Sequence, residues 1–173
     1  GAVASCGGVV VDVDGKAGCE VIGFPHLGPG RWRPGGVFSI RQPIEQGRRD
    51  VARAHSVIAG LSALDIGQGC VVASGHVLAV EAFGGTRWML SSLSTDRPTD
   101  WPEGGLLYKA PKEGQERRMD LPAIGPETME QVAQAGLAGV AIAQGGVVAL
   151  DLPKIIAEAD RLGLFIWVCE AEP

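Results

Sequence analysis

The segment 109–120 combines four cationic and three acidic side chains in twelve positions. The cations are Lys109, Lys112, Arg117 and Arg118, and the acids are Glu113, Glu116 and Asp120. Phosphate chemistry uses this mixture, because cations neutralise a polyphosphate while carboxylates hold a divalent metal ion or orient a water molecule. A solvated loop whose charges pair with one another has the same composition, and composition alone favours that simpler interpretation.

Asp120 is the acid in this segment that a surface loop explains least well. It lies beside the apolar pair Leu121-Pro122, where a carboxylate is costly unless it has a partner or a task. The alternative is that it caps a turn. A second candidate is Gly84-Gly85-Thr86, which follows Glu81 after a predicted strand, because backbone amides at such a turn can bind an anion.

The composition is that of an ordinary globular chain. It has 173 residues, of which 46% are hydrophobic and 20% charged, and this predicts one domain. The 15 basic and 20 acidic residues give a net charge of −5, which argues against a nucleic-acid partner. The four cysteines lack the spacing of a zinc site, so we expect reduced thiols in a cytoplasmic protein.

The hydrophobic pattern and the turn residues predict helices and strands interspersed along the chain. Helices are predicted from Pro43 to about Leu64, from a Thr86 cap, from Pro126 to Gly136, and from an Asp151 cap to Gly163. Strands are predicted at Cys70–Ala73, Val77–Ala82, Leu106–Lys109 and Leu164–Cys169. These elements predict an α+β or mixed α/β fold, a single domain with a mixed sheet containing hairpins and about four helices.

One stretch, from Gln131 to Leu150, carries no charge and is long enough to span a bilayer. Its glycines and glutamines favour the end of a helix followed by a hairpin about Gln144-Gly145-Gly146. Residues 139–151 also echo residues 69–81, which indicates either two unrelated apolar hairpins or two hairpins related by pseudo-symmetry in one sheet. Along the whole chain, the pattern predicts an N-terminal hairpin within residues 1–23, an irregular connection at 24–42 and the main folded region at 43–173.

Several short motifs occur in the order and spacing of one family. They are Ala63-Leu-Asp-Ile-Gly-Gln68, Val77-Leu-Ala-Val-Glu-Ala82, Lys109-Ala-Pro-Lys112, the block from Gln115 to Gly125, Ala135-Gly-Leu-Ala-Gly139 and Ala159-Asp-Arg-Leu-Gly-Leu-Phe165. Over about four-fifths of its length, the chain resembles the C-terminal domain of the LpxI-type UDP-2,3-diacylglucosamine pyrophosphatases. The family reads Glu-Gly-Thr-Asp where this sequence reads Gly84-Gly-Thr-Arg87, and Gln-Asp where it reads Gln115-Glu116.

The resemblance implies an activity and its partners. Enzymes of this family hydrolyse the pyrophosphate of UDP-2,3-diacylglucosamine to UMP and 2,3-diacylglucosamine 1-phosphate (lipid X) in lipid A biosynthesis, using a divalent metal ion, usually Mg²⁺. Their lipid substrate lies between this domain and an N-terminal nucleotide-fold domain. We therefore expect a UDP-diacylglucosamine-type lipid as substrate and that N-terminal domain, which this sequence does not include, as a partner.

The resemblance implies that residues 1–23 are the remnant of an interdomain region and that residues 43–173 are the catalytic domain. It also places the site residues. The catalytic aspartate falls in the charged segment, at Asp120, with Glu116 as the rival position. The predicted metal ligands are Asp120, Glu116 and Glu81. The predicted phosphate-binding residues are Lys109, Lys112, Gln115, Arg118, Gly85 and Thr86.

A second hypothesis belongs to a different class. The loss of the acids at Gly84 and Arg87 and the missing partner domain indicate a non-catalytic lipid- or nucleotide-binding and dimerisation module. Under either hypothesis a surface left uncovered predicts a homodimer, and the alternative is a monomer whose residues 1–40 fold back over that surface. We further expect a cytoplasmic protein with at most peripheral contact to the inner membrane.

Overall fold

The computed structural model of the chain describes residues 5–6, 9–10, 19–22, 35–112 and 121–169. The helices within these ranges are α1 (Glu45–Ser62), α2 (Gly85–Asp96), α3 (Pro126–Gln134) and α4 (Leu152–Leu162). The strands are β1 (Ser5–Cys6), β2 (Val9–Val10), β3 (Cys19–Ile22), β4 (Gly36–Val37), β5 (Gly69–Ala73), β6 (His76–Val80), β7 (Leu106–Lys109), β8 (Ala123–Ile124), β9 (Gly139–Ala143), β10 (Val147–Ala149) and β11 (Phe165–Cys169).

The main sheet has six strands in the order β4-β11-β9-β7-β5-β6. Its central strand β9 runs parallel to both neighbours, whereas β4, β5 and β6 pair antiparallel. A smaller sheet has the order β1-β2-β3-β10-β8. A single domain with a mixed sheet, a β5–β6 hairpin and four helices in the described residues confirms the predicted fold class.

Apolar side chains on both faces of the main sheet explain why helices cover both. On β5 and β7, Val71 and Leu107 pack with apolar residues of α2, α3 and α4. Their neighbours Val72 and Leu106 point the other way and pack with α1. The alternation follows the two-residue period of a strand, and a sheet that is buried on both faces needs continuous apolar runs.

Local signals place the helix ends. Asp151 precedes α4 and accepts a hydrogen bond from the Lys154 amide at 3.3 Å, and Gly163 ends the helix in the left-handed conformation. Both features confirm the predicted bounds. The predicted Thr86 cap of α2 is wrong, since Gly84 occupies the cap position and Thr86 lies in the first turn. The hydroxyl of Thr86 is committed instead to Glu81 and Lys109.

The predicted hairpin between residues 139 and 151 is also wrong. Both edges of β9 are occupied, by β7 and β11, so no edge remains for β10. The chain turns at Gly145 and β10 joins the smaller sheet, between β3 and β8. Two pseudo-symmetric hairpins in one sheet are therefore excluded. The uncharged stretch is divided among α3, β9 and β10, and no helix in the described ranges could cross a membrane.

Candidate active site

Lys109 ends β7 and is one of three buried polar residues in the described part of the chain, with 4% exposure. Its ammonium lies 2.6 Å from the Thr86 hydroxyl oxygen, 3.4 Å from Glu81 Oε2 and 3.5 Å from the Ala123 carbonyl oxygen. Alternation along β7 turns Tyr108 toward α1 and Lys109 toward the opposite face. The end of this strand therefore carries a charge into the layer that α2 and α3 cover.

Glu81 follows directly after β6 and its side chain is 14% exposed. Its Oε2 accepts a hydrogen bond from the Thr86 hydroxyl at 2.9 Å. Two glycines allow this close packing: a Cβ at Gly69 would lie 2.7 Å from Glu81 Oε2, and one at Gly67 would lie 1.9 Å from the Glu81 carbonyl oxygen. The structure thus brings together three residues that the sequence singled out separately, Glu81, Thr86 and Lys109, hereafter the Lys109 cluster.

Burial and pairing act on Lys109 in opposite directions. Removal from water lowers the pKa of its ammonium, and the Glu81 carboxylate opposes that shift through its charge and its hydrogen bond. A lysine buried without such a partner would lose its proton, so the carboxylate is what allows a cation to be kept here.

Lys112 is held by a second acid. Its ammonium donates to the Asp65 carboxylate at 2.6 Å and to the Asp65 carbonyl oxygen at 3.2 Å. Asp65 has a positive φ of 57°, which turns both oxygens toward the lysine. The sequence analysis did not identify Asp65 as a site residue. Two signals pointed to it: it lies in the motif at residues 63–68, and it lies in a short turn just before Gly67.

The remaining described candidates lie at the start of α2. Gly85 adopts a φ of +72° and a Cβ there would meet open space, but its amide donates to the Ala82 carbonyl oxygen at 2.9 Å. Arg87 is turned away from the Lys109 cluster and pairs with Glu127 of α3 at 3.1 Å, both side chains being exposed. This pair lies in a groove of about 350 Å³ between α2 and α3.

Burial makes Cys70 and Cys169 unreactive at neutral pH. Cys70 and Cys169 are free and buried, as predicted, and burial raises the pKa of each thiol to about 12. Since the thiolate is the reactive form, neither is a nucleophile.

Comparison with known proteins gives this geometry its context. The sequence profile of the LpxI C-terminal domain matches residues 34–167, well over half of the chain. The chain belongs to the LpxI C-terminal domain family. The UDP-2,3-diacylglucosamine pyrophosphatase LpxI of Caulobacter vibrioides is 40% identical over 166 residues, which cover 91% of this chain. The chain spans 58% of the length of that relative.

Four predicted site residues of this LpxI C-terminal domain lie outside the described residues. They are Gln115, Glu116, Arg118 and Asp120, so their predicted roles stay predictions. Before these four residues the described chain ends at Lys112, which donates to Asp65. After them it resumes at Leu121, two residues before Ala123, whose carbonyl oxygen faces Lys109.

The described residues of the LpxI domain do not by themselves hold a metal ion. No three side chains of the types His, Cys, Asp and Glu lie together among them. Glu81 is the one predicted ligand within the described ranges, and its Oε2 already faces an ammonium. A Mg²⁺ site would therefore depend on Glu116 and Asp120, and the assignment of Glu81 as a ligand stays a prediction.

Proposed function

We propose that this domain takes part in hydrolysing the pyrophosphate of UDP-2,3-diacylglucosamine to UMP and 2,3-diacylglucosamine 1-phosphate, a step of lipid A biosynthesis. The observation that carries the proposal is the buried Lys109 cluster, formed by residues of the family motifs, in a chain 40% identical to a pyrophosphatase of that name. A buried cation paired with a glycine-enclosed carboxylate is an arrangement typical of a reacting site rather than of a solvated surface.

Exposed apolar side chains close in sequence to Asp65 and Thr86 support an amphiphilic substrate. Leu64 and Ile66 flank Asp65, while Phe83 and Trp88 flank Thr86, and all four are exposed. Phe83 is fully exposed and Trp88 is 65% exposed. Exposed apolar residues beside a polar site suit a ligand with a charged head and acyl chains.

The proposed reaction is attack of water on phosphorus. The water oxygen forms a bond to phosphorus, the anhydride P–O bond breaks, and the proton of the water passes to the carboxylate of Asp120, or of Glu116 as the rival. Lys112, Arg118 and Gln115 are the proposed partners of the phosphate oxygens, and the Gly85 amide would join them only by leaving the Ala82 carbonyl oxygen. Mg²⁺, when bound, would supply positive charge at the pyrophosphate.

UMP release from UDP-2,3-diacylglucosamine in the presence of Mg²⁺ tests this function. We expect release from this chain when the N-terminal domain of a family member is supplied, and slower release or none from the chain alone. Absence of UMP in both reactions would refute the proposal. Asp120→Asn should abolish release and Glu116→Gln should reduce it less, and the reverse order would exchange the two assignments.

Acyl-chain recognition has a test of its own. Phe83→Ala and Trp88→Ala should raise KM for the diacylated substrate about tenfold, since burying an aromatic side chain against an acyl chain is worth one to two kcal/mol or more. The same variants should leave hydrolysis of a deacylated UDP-glucosamine unchanged. Ile40→Ala, at an exposed apolar residue elsewhere on the surface, is the matched control.

A second candidate function is a non-catalytic lipid- or nucleotide-binding and dimerisation module. The observation that favours it is Arg87, which stands where the family has an acid and pairs with Glu127. Thermal melting with UDP, with lipid X and with Mg²⁺ separates the two functions. Stabilisation by a ligand that needs no Mg²⁺, together with no turnover, would favour the binding module.

We also propose a homodimer, with at most peripheral membrane contact. Sedimentation over a concentration series should show a species of twice the 18.0 kDa chain. A single species of monomer mass at every concentration would contradict the dimer.

A further inference from the structure

Lys109 has an oxygen partner inside the protein for each of its ammonium hydrogens. The partners are Thr86 Oγ1 at 2.6 Å, Glu81 Oε2 at 3.4 Å and the Ala123 carbonyl oxygen at 3.5 Å. An ammonium has three donors, and the Lys109 side chain is only 5% exposed. A phosphate oxygen could bind Lys109 only by displacing one of these partners.

Glu81 is bonded differently, because only one of its two carboxylate oxygens is engaged. Oε2 accepts from Thr86 and faces Lys109, whereas no residue in the described ranges bonds Oε1. No fully buried side-chain oxygen in that part of the chain lacks a partner, so Oε1 is not fully enclosed, in keeping with the 14% exposure of the Glu81 side chain. The cluster therefore presents one carboxylate oxygen outward and keeps its compensating cation behind it.

We propose that Lys109 and Thr86 are positioning residues for Glu81, and that Glu81 Oε1, rather than the Lys109 ammonium, meets the substrate. Oε1 acts as a hydrogen-bond acceptor for a hydroxyl group or for the attacking water. Lys109 offsets the negative charge of Glu81, so that an anionic pyrophosphate can approach it. This inference rests on the proposed function and assigns roles within the same site.

Lys112 provides the matched comparison. Asp65 takes two of its donors, and no other described residue takes the third. The two lysines thus share a segment and a charge, but only Lys112 keeps a donor for a phosphate oxygen. Removing each amine in turn should separate the positioning role from the binding role.

The experiment compares Lys109→Met, Lys112→Met, Glu81→Gln and the double variant Glu81→Gln/Lys109→Met. UDP affinity is measured by calorimetry, and kcat and KM by UMP release, in both cases with the N-terminal domain of a family member supplied. Lys109→Met and Glu81→Gln should each lower kcat by about 10²-fold, because a small misplacement of a reacting group costs that much. Both should leave UDP affinity and KM within about threefold, whereas Lys112→Met should weaken UDP binding about tenfold, the loss of one charge-assisted hydrogen bond.

The double variant distinguishes positioning from simple stabilisation. It leaves neither charge unpaired, so it should regain the melting temperature that Lys109→Met loses, yet its kcat should stay as low as that of either single variant. Recovery of kcat together with stability would overturn the positioning role. Loss of UDP affinity in Lys109→Met equal to that in Lys112→Met would show a direct phosphate contact instead.

The same set of measurements separates this inference from the proposed function. If the wild type binds UDP but releases no UMP, the proposed function fails, and the UDP affinities of the two lysine variants still decide whether Lys109 touches phosphate. If the wild type neither binds UDP nor releases UMP, both proposals fail.

Discussion

Asp50, on α1, and Lys109, at the end of β7, are the two buried charged residues in the described part of the chain, but they are satisfied in different ways. Asp50 is 2% exposed and accepts hydrogen bonds from the Ser74 and Gly75 amides, at 3.1 and 2.7 Å, and from Gln46. Lys109 is 4% exposed and is held chiefly by two side chains, those of Thr86 and Glu81. Asp50 is therefore satisfied mainly by backbone amides, whereas Lys109 is satisfied mainly by a hydroxyl group and a carboxylate.

The difference separates a charge that stabilises the fold from one that belongs to a site. Ser74 and Gly75 both have positive φ, as the two-residue turn of the β5–β6 hairpin requires, and Asp50 of α1 fixes that turn. The hydrogen bonds of Asp50 are all made within the protein, so this contact requires no ligand. The Lys109 cluster instead leaves a carboxylate oxygen at the surface, where a ligand can reach it.

The largest effect that we predict concerns the stability of the Lys109 cluster. Lys109→Met should lower the free energy of unfolding by about 3 kcal/mol, because it leaves a largely buried carboxylate unpaired. Adding Glu81→Gln should restore most of the loss, since neither charge then remains. Urea denaturation measures both values, and equal stability of the single and double variants would show that the pair is not coupled.

Asp50 should show a smaller loss and no effect on the site. Asp50→Ala removes the acceptor of two backbone amides and should cost about 2 kcal/mol, while Asp50→Asn, which keeps one acceptor oxygen, should cost about half as much. Neither variant should change UDP affinity, by the same calorimetric measurement. A tenfold change in UDP affinity would mean that the hairpin turn contacts the site. Asp50 would then belong to the site, as Lys109 does.

The predictions that the structure confirms rest on local signals, although the local signal at Thr86 gave the wrong cap. The Asp151 cap, the Gly163 end and the strand Leu106–Lys109 all depend on residues within one element, and all were found. The place of β10 could not be predicted, because it depends on β7 and β11 occupying both edges of β9.

The candidate site shows the same division between local and distant signals. Glu81, Thr86 and Lys109 were each singled out by type and neighbours, but nothing in the sequence indicates that they touch one another. Asp50 and Asp65 were not singled out, because their partners lie 24 and 47 positions away along the chain. Whether two residues so far apart in the chain meet depends on the fold, and the sequence does not display it.

A pH effect should appear in Lys109 and sharpen the comparison further. Burial lowers the pKa of its ammonium below the ordinary value of 10.5. Between that lowered pKa and 10.5 the unfolded chain binds a proton that the native protein has released, so the stability contributed by this group rises with pH. Below that window, the cost of burying the charge is present in full.

The measurement subtracts the unfolding free energy of Glu81→Gln/Lys109→Met from that of the wild type between pH 7 and 10.5. As the pH rises, the wild type should gain unfolding free energy relative to the double variant. The gain should be less than about 1.4 kcal/mol for each unit by which the pKa of Lys109 is lowered. A flat or falling difference would mean that Lys109 is not desolvated as its burial indicates.

The smallest effect belongs to Arg87 and Glu127, which pair on the exposed rim of the α2–α3 groove. Arg87→Ala should change the unfolding free energy by less than about 0.5 kcal/mol, because both side chains are solvated and the pair is screened by salt. Urea denaturation at low and high salt measures this. A loss of unfolding free energy close to that of Lys109→Met would mean that the exposure of an ion pair does not determine how much it stabilises this domain.

The order of strands in the main sheet also governs how the chain can fold during synthesis. The residues of the Lys109 cluster, Asp50 and the Ser74-Gly75 turn all leave the ribosome before β9, the strand that lies between β7 and β11. Strand β4, made early, pairs only with β11, where Val37 lies opposite Trp167. Such distant pairing slows folding. A nascent chain that stops before residue 139 therefore carries the cluster on the unpaired edge of β7, open to other chains.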